Sequence, residues 1–159
     1  MNRYFKILHF AGMIMFLGSI FTYIVISSLA GKEGLAELVF AREIIKTGTN
    51  FLTIPGLWLT IISGIVMAGT KYSLFGHRWL YIKLFLSLLI VLNTYFIIGP
   101  AINGALAASK DSLAANEISE AFHAAYMRES VAGAFNVIFA VIAIIAGIWK
   151  LKGRKCAED

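Results

Sequence analysis

His9 is the side chain whose chemistry is hardest to explain by packing alone. It lies in the run Lys-Ile-Leu-His-Phe-Ala-Gly-Met at residues 6–13. Apart from the lysine and the histidine, all residues of this run are apolar. An ionisable group inside such a run is costly in lipid and marks a functional site by default. A histidine here either hydrogen-bonds a neighbouring helix or offers a ring nitrogen to a metal ion. The sequence leaves both interpretations open.

Haem is the metal group that best suits this part of the sequence. Haem iron takes an imidazole as an axial ligand, and haem fits an apolar slot between helices. His9 would supply that ligand, and Met67 lies at a suitable depth for the second axial position. Met13 is about one turn from His9 on the same helix and cannot reach the opposite face of the porphyrin. Lys83 and Arg78 are candidates for holding the propionates, although Lys83 could also simply extend its amine to the headgroups.

A second group of polar residues consists of Arg42, His123, Glu129 and Asn136. Glu129 and Asn136 share one face of a predicted helix, and Gly133 opens space between them. Arg42 is the expected partner of Glu129, because an ion pair would neutralise both charges near the membrane boundary. His123 lies close to this group in the sequence. The pair could serve structure alone or belong to a reactive site.

The composition identifies the environment in which these groups must work. Of the 159 residues, 59% are hydrophobic and 14% are charged, and the mean hydropathy is +0.80. Soluble domains have about 25% charged residues. The apolar residues occur in long runs, which is typical of a chain whose solvent is lipid. We therefore predict an all-α protein in which residues 1–159 form one integral membrane domain.

Four runs approach the about 20 residues that cross a bilayer. The predicted helices cover about residues 4–29, 51–68, 79–98 and 130–149. Pro55 is expected in the first turns of the second helix, and Gly99-Pro100 should kink or end the third.

Two amphipathic segments are predicted in the first and third loops, at residues 33–49 and 111–128. The first would lie at the membrane interface or extend the second helix. Asp111 or Ser112 is the candidate N-cap of the second segment.

The basic residues predict the orientation. Nine of the 14 Lys and Arg residues lie on the side that holds both termini and the second loop, and seven of the nine acids lie on the other side. The positive-inside rule then predicts a multi-pass protein of the cell membrane with both termini in the cytoplasm. The basic residues cluster at helix ends and form no stripe suited to nucleic acid. Cys156 is the only cysteine, so no internal disulfide is expected.

Small residues indicate where helices approach each other. Gly56, Thr60 and Gly64 recur every four residues and predict a flat packing face on the second helix. Gly12 and Gly18 in the first helix offer similar points of close approach. Such faces also allow a homo-oligomer within the bilayer.

Several short motifs occur in an order that resembles a known family. They are Lys-Ile-Leu-His at residues 6–9, Arg42, Ile-Pro-Gly-Leu-Trp-Leu-Thr at residues 54–60, Ser-Gly at residues 63–64, and Trp-Leu-Tyr-Ile-Lys-Leu at residues 79–84. Together they resemble the HemJ-type protoporphyrinogen oxidases and their uncharacterised relatives in the wider CopD-like group of four-helix membrane proteins. The resemblance covers most of the chain.

The resemblance implies a four-helix protein that binds haem b and oxidises a tetrapyrrole. It implies that His9 is the haem ligand and that Lys83, Glu129 and Arg42 take part in catalysis. The chain departs from the pattern in the third helix, where Asn93-Thr94 stands in place of a further histidine.

Three classes of function remain open at this stage. The first is a haem-binding redox protein that acts on a tetrapyrrole or exchanges electrons with a quinone. The second is a CopD-like protein that handles a metal or solute, for which methionines suit copper. The third is an accessory membrane subunit in which Arg42 and Glu129 only hold helices together. The methionines concerned are Met13, Met15, Met67 and Met127.

Overall fold

The computed structural model describes residues 3–71 and 78–149, with the backbone alone at residues 71, 78 and 149. Within these ranges the chain is helical almost throughout and has no strand. The prediction of an all-α four-helix bundle is therefore confirmed. The six α-helices are α1 (Arg3–Glu33), α2 (Leu35–Gly48), α3 (Ile54–Lys71), α4 (Arg78–Asn93), α5 (Gly99–Ala115) and α6 (Glu120–Trp149).

Two π-helical turns join these α-helices into four long rods. Thr49–Thr53 connects α2 to α3, and Thr94–Ile98 connects α4 to α5. The resulting membrane-length helices are Arg3–Glu33, Leu35–Thr70, Trp79–Ala115 and Glu120–Ile148. They are 31, 36, 37 and 29 residues long and apolar enough to span a membrane. Each exceeds the about 20 residues that cross a bilayer, so each extends beyond its predicted span.

The two prolines of the chain explain why the π-helical turns occur where they do. The N–H of Ile54 bonds to the carbonyl of Thr49, and the N–H of Gly99 bonds to that of Thr94. Each of these hydrogen bonds spans five residues, and its donor is the residue directly before a proline, Pro55 or Pro100. A proline inside a helix lacks an N–H, and its ring clashes with the carbonyl four residues earlier. The extra residue in the preceding turn widens the helix there.

These turns correct the expectation about Pro55 and decide between the two alternatives for Gly99-Pro100. Pro55 lies deep inside the rod Leu35–Thr70 rather than in its first turns. Of the two outcomes expected at Gly99-Pro100, an end of the helix is excluded, because the helix continues through the π-helical turn before Gly99 to Ala115.

The amphipathic segments extend the rods and do not form separate loops. The first becomes α2, in line with one of the two alternatives. The second is divided between the end of α5 and the start of α6. Asp111 and Ser112 lie inside α5, so the N-cap prediction was wrong. Ser119 caps α6 instead, since its Oγ accepts the N–H of Phe122 at 3.2 Å.

The helices form two pairs that meet at one end of the bundle. α1 packs on α2 and α3, while α6 packs on α4 and α5. The pairs join where α2 packs against α5, and we name this end the cap end. The opposite end, at Arg3 and Arg78, is the terminal end. The cap end has a core of its own, formed by the buried side chains Leu38, Ala105, Ala108 and Phe122.

Polar side chains inside the bundle bond the two helices of each pair together. Between α1 and the first π-helical turn, Ser19 Oγ lies 2.8 Å from Thr53 Oγ1. Between α4 and α6, Asn93 Nδ2 donates to Asn136 Oδ1 at 2.7 Å, and Asn136 Nδ2 donates to Thr94 Oγ1 at 2.9 Å. The outer faces carry large apolar side chains instead, which suits contact with lipid.

Candidate functional site

His9 is held by the backbone of the neighbouring helix. Its Nδ1 lies 2.8 Å from the carbonyl oxygen of Thr60 and 3.2 Å from Ser63 Oγ. A carbonyl can only accept, so Nδ1 carries the proton and Nε2 of the neutral ring keeps its lone pair. Nε2 has no hydrogen-bond partner among the described residues. A metal-binding histidine has this arrangement, in which the second nitrogen donates to a carbonyl and fixes the ring.

Two glycines bring α1 close enough to α3 for this bond. A Cβ at Gly12 would lie 2.6 Å from Thr60 Oγ1, and a Cβ at Gly56 would lie 2.8 Å from the Cβ of Met15. Neither position has room for a side chain. Packing along this face of α3 was predicted and is confirmed. Gly18, which was expected to be a similar contact, has nothing within 4 Å of its Cβ position.

A cavity of about 320 Å³ lies beside His9 in the terminal half of the bundle, and we name it the His9 cavity. All four rods contribute to its wall. Met67 and Lys83 line it together with His9, as does Met13. The structure therefore brings together three of the predicted site residues. Arg78 begins α4, but its side chain lies outside the described residues.

Lys83 presents its amine on the side of the His9 cavity formed by α4 and α6. A Cβ added at Gly147 would lie 2.5 Å from Lys83 Nζ, so the glycine makes room for the amine. Lys83 Nζ also lies 5.9 Å from the ring centroid of Trp79. No carboxylate pairs with Lys83 within the described part of the chain. The amine can therefore meet an anionic group that enters the cavity.

Arg42 and Glu129 form the predicted ion pair, which the structure confirms at 2.9 Å. Arg42 is 1% exposed, although its charge is permanent. A second guanidinium nitrogen donates to Ser27 Oγ at 2.8 Å, while Nε has no partner among the described residues. The guanidinium carbon lies 5.6 Å from the ring centroid of Phe122 and 5.0 Å from that of Tyr126. The cation is thus held by one carboxylate, one hydroxyl and two aromatic faces.

A second cavity of about 350 Å³ lies beside Glu129, and we name it the Glu129 cavity. Gly133 and Asn136 line it with Glu129, as their helical spacing predicted. Both π-helical turns reach its wall through Thr49, Thr53, Thr94 and Ile98. Irregular helical turns of this type often mark functional sites.

The two cavities are separated by a layer only one helical turn thick. On α1, Leu17 lines the His9 cavity and Ile20 lines the Glu129 cavity. Along the α4 rod the corresponding residues are Ile90 and Thr94. Three or four residues correspond to about 5 Å along a helix. We name this layer the septum, and its buried members are Phe16, Leu57 and Ile90.

Sequence reasoning missed the partners that orient the predicted residues. Thr60 and Ser63 fix His9, and Ser27 binds Arg42. The spacing of Gly56, Thr60 and Gly64 did predict a contact face, but a backbone acceptor leaves no residue-specific signal. The two cavities were also missed, since a cavity depends on how separate rods are placed.

The described residues contain no group of three His, Cys, Asp or Glu side chains that could hold a metal ion. Comparisons with protein-family models, curated proteins and solved structures find nothing that matches this chain. The fold and its interior define an α-helical bundle of four membrane-length rods with two stacked cavities. One cavity contains a fixed histidine with an uncommitted nitrogen, and the other borders a buried ion pair.

Proposed function

We propose that this protein is a membrane haem protein with a redox role, which binds one b-type haem in the His9 cavity. The hydrogen bond from His9 Nδ1 to the Thr60 carbonyl carries the proposal. It presets the tautomer that a metal ligand needs, and it leaves Nε2 facing no protein partner among the described residues. The resemblance to HemJ-type proteins extends the proposal to oxidation of a tetrapyrrole.

The residues around the cavity fit this group in kind and in charge. His9 supplies an imidazole, Met67 supplies a thioether as the second candidate ligand, and Lys83 supplies a cation for a propionate. The remaining wall is mostly aliphatic, as a porphyrin plane requires. A bound haem would supply one-electron chemistry at its iron. The protein's own part is to orient the imidazole, exclude water and hold the carboxylates.

The proposal places the protein in the cell membrane with both chain ends in the cytoplasm. The four membrane-length helices support a membrane location. An even number of crossings returns the chain to its starting side, and the excess of Lys and Arg at the terminal end favours the cytoplasmic side. The His9 cavity would then lie in the cytoplasmic half of the bilayer.

An optical spectrum of the purified protein in detergent tests the haem proposal. We expect a Soret band in the intact protein and its loss in His9→Ala. His123→Ala is the matched control, because His123 lies on α6, is exposed and lines neither cavity. A colourless intact protein, a Soret band that persists in His9→Ala, or equal loss of the band in both variants would contradict the assignment.

Copper handling is a second candidate, because two thioethers line the same cavity as His9. Met13 and Met67 come from different rods and both contribute to the wall. Thioether and imidazole donors suit copper(I). This places the metal-handling alternative at the same site as the haem proposal and gives both a common set of variants.

Metal analysis separates these candidates. Protein purified after growth with copper should contain copper and lack a Soret band if the second candidate holds, and Met13→Leu should lower the copper content. Met127→Leu is the control, because Met127 is 63% exposed and lies outside both cavities. A protein free of haem and copper that purifies only with another subunit would favour an accessory role instead.

A further inference from the structure

The Glu129 cavity is separate from the proposed haem site and has access of its own. It lies between the two helix pairs in the cap half of the bundle, beyond the septum. Ile24 on α1 lines it and is 58% exposed, and Ser130 and Ala134 on α6 line it and are also exposed. α1 and α6 belong to different pairs and do not pack along each other. The cavity therefore opens sideways between them, at a level where the helix surfaces are apolar.

A sideways opening selects a ligand that is dissolved in the bilayer. Aliphatic side chains such as Ile20, Ile98 and Val137 line the cavity together with neutral hydroxyl and amide groups. The one carboxylate at the wall, Glu129, is already neutralised by Arg42. A neutral molecule therefore fits this cavity better than a cation or a fatty acid, because no unpaired charge is available to it among the lining residues.

Tyr23 supplies a hydrogen-bond donor on the α1 side. Ser19 gives its only proton to the carbonyl of Phe16 at 2.8 Å, so the proton between Ser19 and Thr53 must come from Thr53. The remaining contact of Tyr23 with Thr53 is 3.5 Å long, which is too far for a strong bond. The phenol proton of Tyr23 can thus be donated to a ligand. Gly48 packs directly against this hydroxyl and fixes its position.

Thr94 supplies a second donor from the other helix pair. Its Oγ1 accepts a bond from Asn136, and its own proton has no acceptor among the described residues. Thr94 is 3% exposed and lines the cavity from the end of the α4 rod. Tyr23 and Thr94 line the same cavity from different helix pairs. Two donors from different pairs suit a flat ring that carries an acceptor on each of two opposite edges.

We propose that the Glu129 cavity binds a lipid-soluble para-quinone, with one ring carbonyl accepting from Tyr23 and the other from Thr94. A quinone is neutral, flat and apolar, and its two carbonyl oxygens lie on opposite edges of the ring. The proposal deepens the proposed redox function by naming a partner class. It rests on that function for what the bound quinone does. The binding itself does not require haem, so the two can fail separately.

Photolabelling tests this proposal on the full chain in phosphatidylcholine nanodiscs. The probe is a benzoquinone with an azido group and a short isoprenoid tail, and labelled residues are mapped by peptide mass spectrometry. We expect labels on the α1 and α6 residues at the opening. Gly133→Leu should reduce them at least tenfold, because the Cβ position of Gly133 is open and a leucine would fill the cavity.

Gly18→Leu is the matched control and should leave the labelling unchanged. Gly18 has equally open space around its Cβ position, but it lies outside the cavity. Tyr23→Phe keeps the ring and removes one donor, so it should lower labelling roughly two- to tenfold, which is the effect of one neutral hydrogen bond. This variant decides the question if Gly133→Leu does not fold.

Three results would overturn the proposal. One is labelling that Tyr23→Phe and Gly133→Leu leave unchanged. Another is labelling spread over lipid-facing residues such as Ile14 and Phe96, which would show partitioning into lipid alone. The third is equal competition by an isoprenoid alcohol of the same tail length, which has no ring carbonyl. Labelling that persists in His9→Ala, together with a missing Soret band in the intact protein, would refute the haem proposal and leave the quinone site standing.

Discussion

The imidazole of His9 is oriented by an acceptor that no side-chain substitution can remove, because the oxygen belongs to the backbone at Thr60. Its environment can still be altered. A Cβ at Gly64 would lie 3.2 Å from His9 Cε1, so even alanine there presses on the ring. The position of the His9 ring thus depends both on its hydrogen bond to Thr60 and on the space that Gly64 leaves for it.

Arg42 is the residue whose loss of a partner should matter most for stability. Glu129→Gln removes the carboxylate and leaves a guanidinium with 1% exposure uncompensated. Breaking a buried pair in this way costs about 3–5 kcal/mol. We therefore expect a clear fall in the thermal midpoint of the detergent-purified protein. The double variant Arg42→Met/Glu129→Met should recover much of the loss, because it removes both charges.

Lys110→Met gives the matched control for this experiment. Lys110 Nζ lies 2.8 Å from Glu43 Oε1, but the two side chains are 54% and 50% exposed. Exposed pairs of this kind contribute about 0–1 kcal/mol. A midpoint that falls as much in Lys110→Met as in Glu129→Gln would show that burial of Arg42 is not the cause.

At the scale of elements, the contact between α1 and α3 determines whether His9 reaches Thr60. A Cβ at Gly56 would lie 2.8 Å from both the Cβ of Met15 and the backbone nitrogen of Phe16. These two atoms cannot move away by rotation of a side chain, because one is a backbone atom and the other is a Cβ. Any side chain at residue 56 must therefore push the helices apart.

We predict that Gly56→Ala lowers the thermal midpoint and weakens whatever ligand His9 binds. The loss should be roughly 1–3 kcal/mol, the usual cost of overpacking. Gly18→Ala, with open space at its Cβ position, should change the midpoint little. Equal effects of the two substitutions would mean that close approach at Gly56 does not position the histidine.

The elements also show what a sequence can and cannot predict. Hydrocarbon-length apolar runs predicted four helices, and the four-residue spacing of Gly56, Thr60 and Gly64 predicted the face that meets α1. Opposite charges predicted the pair of Arg42 with Glu129. The π-helical turns were not predicted, because a proline indicates that a helix is disturbed but does not say how. Ser119 was missed as a cap because the helical patterns on both sides of it are weak.

At the scale of the whole molecule, the rods are longer than a bilayer is thick. The rod Leu35–Thr70 has 36 residues, which corresponds to about 54 Å, against about 30 Å of hydrocarbon. We propose that the excess lies at the cap end, where α2 packs against α5. The cap end should therefore stand in water on the side opposite to the termini.

The only cysteine allows a direct test of this orientation. In intact cells, a membrane-impermeant maleimide should not label Cys156 until the cells are permeabilised. In the Cys156→Ser background, Lys110→Cys should be labelled from outside without permeabilisation, because Lys110 lies at the cap end. Labelling of Cys156 in intact cells would place the termini outside and reverse the proposed location of the His9 cavity.

We predict that the septum limits the passage of protons through the bundle. The hydrocarbon of a bilayer is about 30 Å thick. The His9 cavity and the Glu129 cavity are separated by only one helical turn of side chains, and Phe16 is the largest buried residue of this septum. In liposomes with a pH gradient, Phe16→Ala should speed proton leakage severalfold, whereas Phe85→Ala, at a 60% exposed position, should not. Equal proton leakage from liposomes with the two variants would show that Phe16 does not limit the passage of protons through the septum.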